Sequence, residues 1–178
     1  MPQTTIRVAH SPDSDDAFMF YALAEHKVDT EGLTYIHELQ DIESLNQRAL
    51  LGELEVTAVS IHAYAFLTDR YALLTSGASM GDRYGPRLVA RTVATKADVK
   101  GKRIAIPGPK TSAYLALRLY EPDFEAVFMP FDQIEDAAVD GPSDMGLPIH
   151  ERQPTFAERG QPLGADTGEG WFEATGLP

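Results

Sequence analysis

The stretch DIESLNQRALLGELEVTAVSIHAYAFL, residues 41–67, carries a helix, a strand and the start of a second helix. Ile42, Leu45, Ala49 and Leu50 form an apolar stripe at helical spacing. Asp41 stands where an N-cap accepts a backbone N–H, and Gly52 where a left-handed residue ends a helix. The spacing predicts a helix over 42–51. Residues 56–59 then read as a short β-branched strand and 61–68 as the next helix, with Ser60 at the junction. The same alternation runs outward in both directions. Strands are expected near 6–9, 33–38, 72–76, 87–93, 103–106, 126–129 and 144–149, and helices over 15–26, 112–120 and 133–138. Strands alternating with helices define an α/β class with mostly parallel strands.

Composition narrows the function classes. The 178 residues suffice for one large domain or two lobes with a real core. A formal net charge of −12 argues against non-specific nucleic-acid binding and against an anionic membrane surface, both of which need basic patches. An anionic substrate stays open, since it needs only local donors. The chain has no cysteine, so disulfides, thiolate metal sites and cysteine nucleophiles are excluded. The opening MPQTTIRVAHSPDSDD has no basic stretch followed by an apolar run, and no segment is long enough to span a bilayer. A cytoplasmic location is therefore expected. Residues 92–100 turn polar after an extended run and read as a crossover. From Gly141 onward the glycine and proline content predicts a less regular end, and Pro148 removes a ladder donor from the strand expected there.

Several residues carry candidate chemistry. Asn46, the only asparagine, lies on the buried side of its helix, where its amide needs partners, either a neighbouring loop or a ligand. In PGPKTSAYLALRLY, residues 107–120, a Gly/Pro turn precedes a helix with Thr111 or Ser112 at its cap; such a start suits a carboxylate or phosphate, or simple capping. It lacks the glycine spacing of a Walker A loop. Ser60 and His62 repeat the strand-to-helix design, and ligands collect at the carboxyl ends of strands in open α/β sheets; His62 itself reads as a surface histidine. His150, in LPIHERQPTF, residues 147–156, offers an imidazole suited to general-base work near pH 7. The five histidines show no metal-binding spacing. In HSPDSDDAFMFYAL, residues 10–23, Asp13 and Asp15 are explained as the acidic start of a helix, with Ser11 or Asp13 as its cap. Asp16 shares a face with Phe20 and Leu23 and is expected to point inward.

The stretches 8–28, 41–67, 85–90 (GPRLVA), 106–120 and 146–160 (GLPIHERQPTFAERG), taken in order, resemble the menaquinone-biosynthesis family of the futalosine pathway, the 1,4-dihydroxy-6-naphthoate synthases. That resemblance implies a periplasmic-binding-protein-like fold of type II: two α/β lobes, 1–92 and 93–178, with the ligand in an inter-lobe cleft. It implies a lyase that converts cyclic dehypoxanthine futalosine to 1,4-dihydroxy-6-naphthoate without metal or organic cofactor. His150 falls on the family's proton-abstracting base, and Asp16, Asn46, Ser60, Thr111 and Ser112 fall on its polar substrate contacts. The partner implied is a small carboxylate substrate, with no nucleic acid and no membrane, and a homodimer is compatible. Family members run roughly a hundred residues further, so the first lobe is expected to be incomplete. The alternatives are a non-catalytic carboxylate-binding protein and a chorismate dehydratase-like enzyme. The second normally carries an Asn-Thr-Arg-Pro-like first junction that is absent here.

Overall fold

The computed structural model describes residues 4–92, 95–148 and 163–178. The chain divides into two compact units, Met1–Ser79 and Met80–Pro178. In the first unit, strands and helices alternate strictly: β1 Thr4–His10, α1 Ser14–Ala24, β2 Leu33–Leu39, α2 Ile42–Leu51, β3 Val56–Thr57 and α3 Ile61–Tyr64. Its sheet has the order β2-β1-β3, with both pairings parallel. β1 is central, in register from Thr4 opposite Leu33 to His10 opposite Leu39, and Ala9 lies opposite Thr57 of β3. Below the sheet, Leu45 and Leu54 pack on Ala9, and Ala49 of the same helix packs with Ala63 and Leu67. The α2 expectations hold: the Asp41 side chain accepts from Ser44 N at 3.0 Å, and Gly52 has φ +73°.

Two expectations for this unit are corrected. Residues 72–76 form no strand; Leu73 and Leu74 are exposed, and among the described residues no strand offers the ladder that an isolated extended segment needs. The third helix stops at Tyr64 rather than Thr68, because Phe66, Leu67 and Arg70 donate to carbonyls three residues back, tightening the chain out of α-helical geometry.

The second unit holds β4 Arg87–Ala90, α4 Lys96–Val99, β5 Arg103–Ile106, α5 Ser112–Tyr120, β6 Glu125–Phe128, a 3₁₀ turn Phe131–Gln133 leading into α6 Ile134–Val139, β7 Met145–Gly146, β8 Leu163–Asp166 and α7 Thr167–Thr175. Its sheet runs β6-β5-β7-β4-β8, with β5 parallel to both β6 and β7, and β4 antiparallel to both β7 and β8. Side chains alternate across β5: Ile104 and Ile106 join Leu88, Leu117 and Leu147 on one face, while Ala105 packs with Ile134 and Ala137 on the other. Both faces are covered, which explains why IAIP reads as a continuous apolar run.

The strand expected over 144–149 is only Met145–Gly146 within the described residues. Leu147 N–H still donates to Ala105 O at 2.9 Å, and then Pro148 ends the donors. Residues 163–175 form regular elements, β8 and α7. Asp166 caps α7 by accepting from Gly168 N and Glu169 N, and Gly176, at φ +71°, closes it. Arg87 pairs with Asp166 at 2.8 Å, and the Thr167 hydroxyl donates to Pro86 O at 2.6 Å. Gly168 lies so close to the Tyr84 and Gly85 backbone that a Cβ there would sit 2.4 Å from Tyr84 C. Glycine here permits close packing rather than looseness.

Candidate functional site

In the first unit, parallel pairing brings the carboxyl ends of β1 and β3 side by side, and Ala58 N–H donates to Ala9 O at 2.8 Å beyond the last strand pair. Each end runs straight into a helix. At the β1 end, Asp13 occupies the cap position of α1 but makes no side-chain capping bond. Asp15 accepts a hydrogen bond from the Ser79 hydroxyl. Asp16 behaves differently: it is 7% exposed, and its Oδ2 accepts from Ser11 N at 2.7 Å, so its carboxylate turns back under the junction. Burial pushes its pKa up, opposed by the Ser11 N–H and the neighbouring His10, while Asp15 and Asp13 add to the rise. This buried carboxylate is held by one strong donor and resists ionisation more than a carboxyl in water does.

At the β3 end, Ser60 is the cap residue of α3. Asn46, fully buried in α2, reaches across to it: Oδ1 accepts from Ser60 N at 2.9 Å and Nδ2 donates to Ser60 Oγ at 3.2 Å. Nδ2 also lies 3.4 Å from Glu43 Oε2. The amide therefore fastens the helix before β3 to the junction after it. His62, half-buried, meets Phe66 edge-on at 5.8 Å.

In the second unit, β5 ends at Ile106 and the turn Pro107–Gly108–Pro109–Lys110 leads into α5. Thr111 is buried; its hydroxyl donates to Gly108 O at 2.9 Å and accepts from Tyr114 N at 3.2 Å. The cap is thus built by Thr111, and Ser112, the first helical residue, is exposed. Asn46 and Ser60 are in direct contact, as are Asp16 and Ser11; Thr111 and Ser112 are adjacent in sequence on the second unit's strand-to-helix turn. His150 lies outside the described residues. Among the described residues, no group of three or more His, Asp or Glu is placed to hold a metal ion, and no helix is long and apolar enough to cross a membrane.

His10 and His37 are not among the residues that the sequence singles out, yet they lie beside this junction. His10 is 5% exposed at the end of β1, with Nδ1 3.0 Å from Ser11 O and Nε2 3.1 Å from His37 Nδ1. The signal was available in VAH and YIHEL: in parallel register Val8 faces His37, so the two histidines fall on the same side of adjacent strands. It could be found only after deciding that β1 and β2 pair without offset.

A family model described as menaquinone biosynthesis matches residues 6–178. The chain is 39% identical over 173 residues to the 1,4-dihydroxy-6-naphthoate synthase of Thermus thermophilus, which covers 97% of this chain and 62% of that protein. It is 37% identical over 184 residues to the synthase of Streptomyces coelicolor, covering 100% of this chain and 64% of that protein. It thus spans less than two thirds of the length of these curated relatives. A crystal structure of a protein from Archaeoglobus fulgidus is 50% identical, with a TM-score of 0.92 over 100% of this chain and 66% of that one. The alkanesulfonate-binding protein of Xanthomonas axonopodis bound to MOPS, 17% identical, shares the fold at a TM-score of 0.77 over 94% of this chain and 62% of that one. The architecture is that of type II periplasmic-binding-protein-like proteins.

Proposed function

The chain belongs to the menaquinone-biosynthesis family whose model spans residues 6–178, and from that premise we propose that it is a lyase of the futalosine pathway converting cyclic dehypoxanthine futalosine to 1,4-dihydroxy-6-naphthoate. The observation that carries this reading is identity of 39% and 37%, over nearly the whole chain, to two synthases named for that product. The reading makes the protein a cytoplasmic enzyme acting on a small carboxylate. In it, His150 takes a proton beside a carbonyl, and Ser112 with the start of α5 holds the substrate carboxylate, as a helix N-terminus can. Asp16 and Ser60 contact the substrate from the strand ends of the first unit, and Asn46 serves the site by orienting Ser60. The physical support is that Asp16, Ser60 and Ser112 lie where parallel strands end and helices begin.

The test is direct. The purified chain is incubated with cyclic dehypoxanthine futalosine and naphthoate formation is followed by mass spectrometry, beside a full-length relative as control. Product above the no-enzyme rate is expected. No product, while the control turns over, would overturn the reading; substrate binding by calorimetry in that case would identify a binding protein without chemistry.

A further inference from the structure

Three rings sit together behind the β1–α1 junction: His10 of β1, His37 of β2 and Phe20 of α1. Phe20 stacks on His10 with centroids 4.4 Å apart and planes 20° from parallel. His37 meets His10 edge-on, at 5.3 Å and 81°, and lies 6.1 Å from Phe20. Stacking and the two strands fix where each imidazole nitrogen points.

The hydrogen bonds then fix where the protons are. Ser11 O, 3.0 Å from His10 Nδ1, can only accept, so Nδ1 carries the hydrogen and Nε2 of the neutral ring presents a lone pair. His37 Nδ1, 3.1 Å from that lone pair, must donate. The remaining lone pair is on His37 Nε2, a buried atom with no hydrogen-bond partner among the described residues. Polarity therefore runs one way, from His37 to His10 to the Ser11 carbonyl. Ser11 is gripped on its other side too, where its N–H donates to Asp16 Oδ2 at 2.7 Å.

We propose that His10 is a positioning residue for Asp16, aligning the Ser11 N–H on that carboxylate, and that His37 locks His10 in the one neutral tautomer able to do so. The proposal deepens the reading of Asp16 as a substrate contact and rests on it for its bearing on the reaction. One added proton leaves both bonds in place; with both rings charged, His10 Nε2 and His37 Nδ1 would each carry a hydrogen and the link between them would be lost. The first added proton comes to rest on His37 Nε2, where no acceptor lies among the described residues. The titratable neighbours are His26, next to His37, and Asp16, with Asp13 and Asp15 beyond it, next to His10. Burial, with His10 and His26 adding to it, holds the His37 pKa below its ordinary value, so protonation of that ring is resisted.

Nuclear magnetic resonance of the full chain tests this without substrate. Nitrogen shifts at pH 7 are expected to show both His10 and His37 as Nδ1–H tautomers. His10→Phe keeps a ring on Phe20 but no donor; it is expected to move the Asp16 carboxyl titration upward and to speed exchange of the Ser11 amide about tenfold, the worth of one charge-assisted hydrogen bond. His10→Asn, whose Nδ2 replaces Nδ1, is expected to return both toward the unmodified protein. An Nε2–H tautomer at either histidine overturns the proposal, as does a folded His10→Phe protein with Asp16 and Ser11 unmoved. Should that variant not fold, the tautomers of the unmodified protein decide. Failure of turnover would count against the reaction alone, since none of these readouts depends on it.

Discussion

Replacing Asn46 tests how the first unit holds its candidate site. In Asn46→Ala the Ser60 N–H loses its acceptor at 2.9 Å, and the contacts of Nδ2 with Ser60 Oγ at 3.2 Å and Glu43 Oε2 at 3.4 Å disappear. A buried donor left unsatisfied costs about 1–3 kcal/mol, and the bond to Ser60 Oγ about 0.5–1.5 kcal/mol more. The Glu43 contact is long and adds little. The expected loss is about 2–4 kcal/mol, a large share of the ~5–15 kcal/mol typical of a folded protein. With a urea m-value of about 2 kcal/mol/M, the midpoint falls by about 1–2 M. Asn46→Asp separates the contributions. It keeps the acceptor for Ser60 N–H, and the serine hydroxyl can turn to donate, but it sets a second carboxyl beside Glu43. Its deficit is expected to be small in acid and to grow as pH rises and both carboxyls ionise. The assay is urea unfolding followed by circular dichroism, with hydrogen exchange at the Ser60 amide as the local readout. A loss below about 0.5 kcal/mol for Asn46→Ala, or an Asn46→Asp protein as damaged in acid as Asn46→Ala, would refute the assignment of Asn46 as the fastener of Ser60.

Three further outcomes follow from the site and the packing around it. Because the folded pKa of Asp16 is raised, its ionisation burdens the fold little below the ordinary carboxylate value and fully above the raised one. Asp16→Asn, which keeps an acceptor for Ser11 N–H, should therefore gain stability relative to the unmodified chain as pH rises through that window, while losing at least tenfold in kcat/KM by the order of one polar contact; thermal melts at pH 3 to 7 and steady-state kinetics check the two halves. Gly168→Ala should cost about 1–3 kcal/mol by overpacking, since its Cβ would fall 2.4 Å from Tyr84 C and 2.5 Å from Gly85 N; urea unfolding monitored by Trp171 fluorescence reads it. His150→Gln should abolish naphthoate formation while leaving calorimetric binding of the futalosine substrate within about threefold, a change of well under 1 kcal/mol.

The legible parts of the fold were those in which a local signal and the tertiary outcome agree. Asp41 and Gly52 bound α2 because a capping side chain and a left-handed glycine act within a few residues of themselves. DTGEGWFEATG, residues 166–176, uses the same grammar, with Asp166 as cap and Gly176 as stop. It was missed because glycine and proline content around it was read as a sign of irregularity. Residues 72–76 erred the other way: apolar residues alone cannot supply the partner strand that makes a ladder. For the site, inward Asp16 and buried Asn46 followed from helical periodicity, but the partners did not. Asn46 to Ser60 and His10 to His37 are separated by 14 and 27 positions, and only strand register brings them together.

The position of β4 between β7 and β8 bears on how the protein is made. The ribosome releases Arg87–Ala90 first among the strands of the second unit, yet its two ladder partners are Met145–Gly146 and Leu163–Asp166, and the Arg87–Asp166 pair spans 79 positions. The first unit can close its parallel sheet once Thr57 has emerged. The second must carry an unpaired apolar strand, Leu88, Val89 and Ala90, through synthesis of most of its length. Long-range pairing of this kind is slow and leaves edges open to other chains. During translation the nascent second unit is therefore the part of this molecule most dependent on chaperone cover.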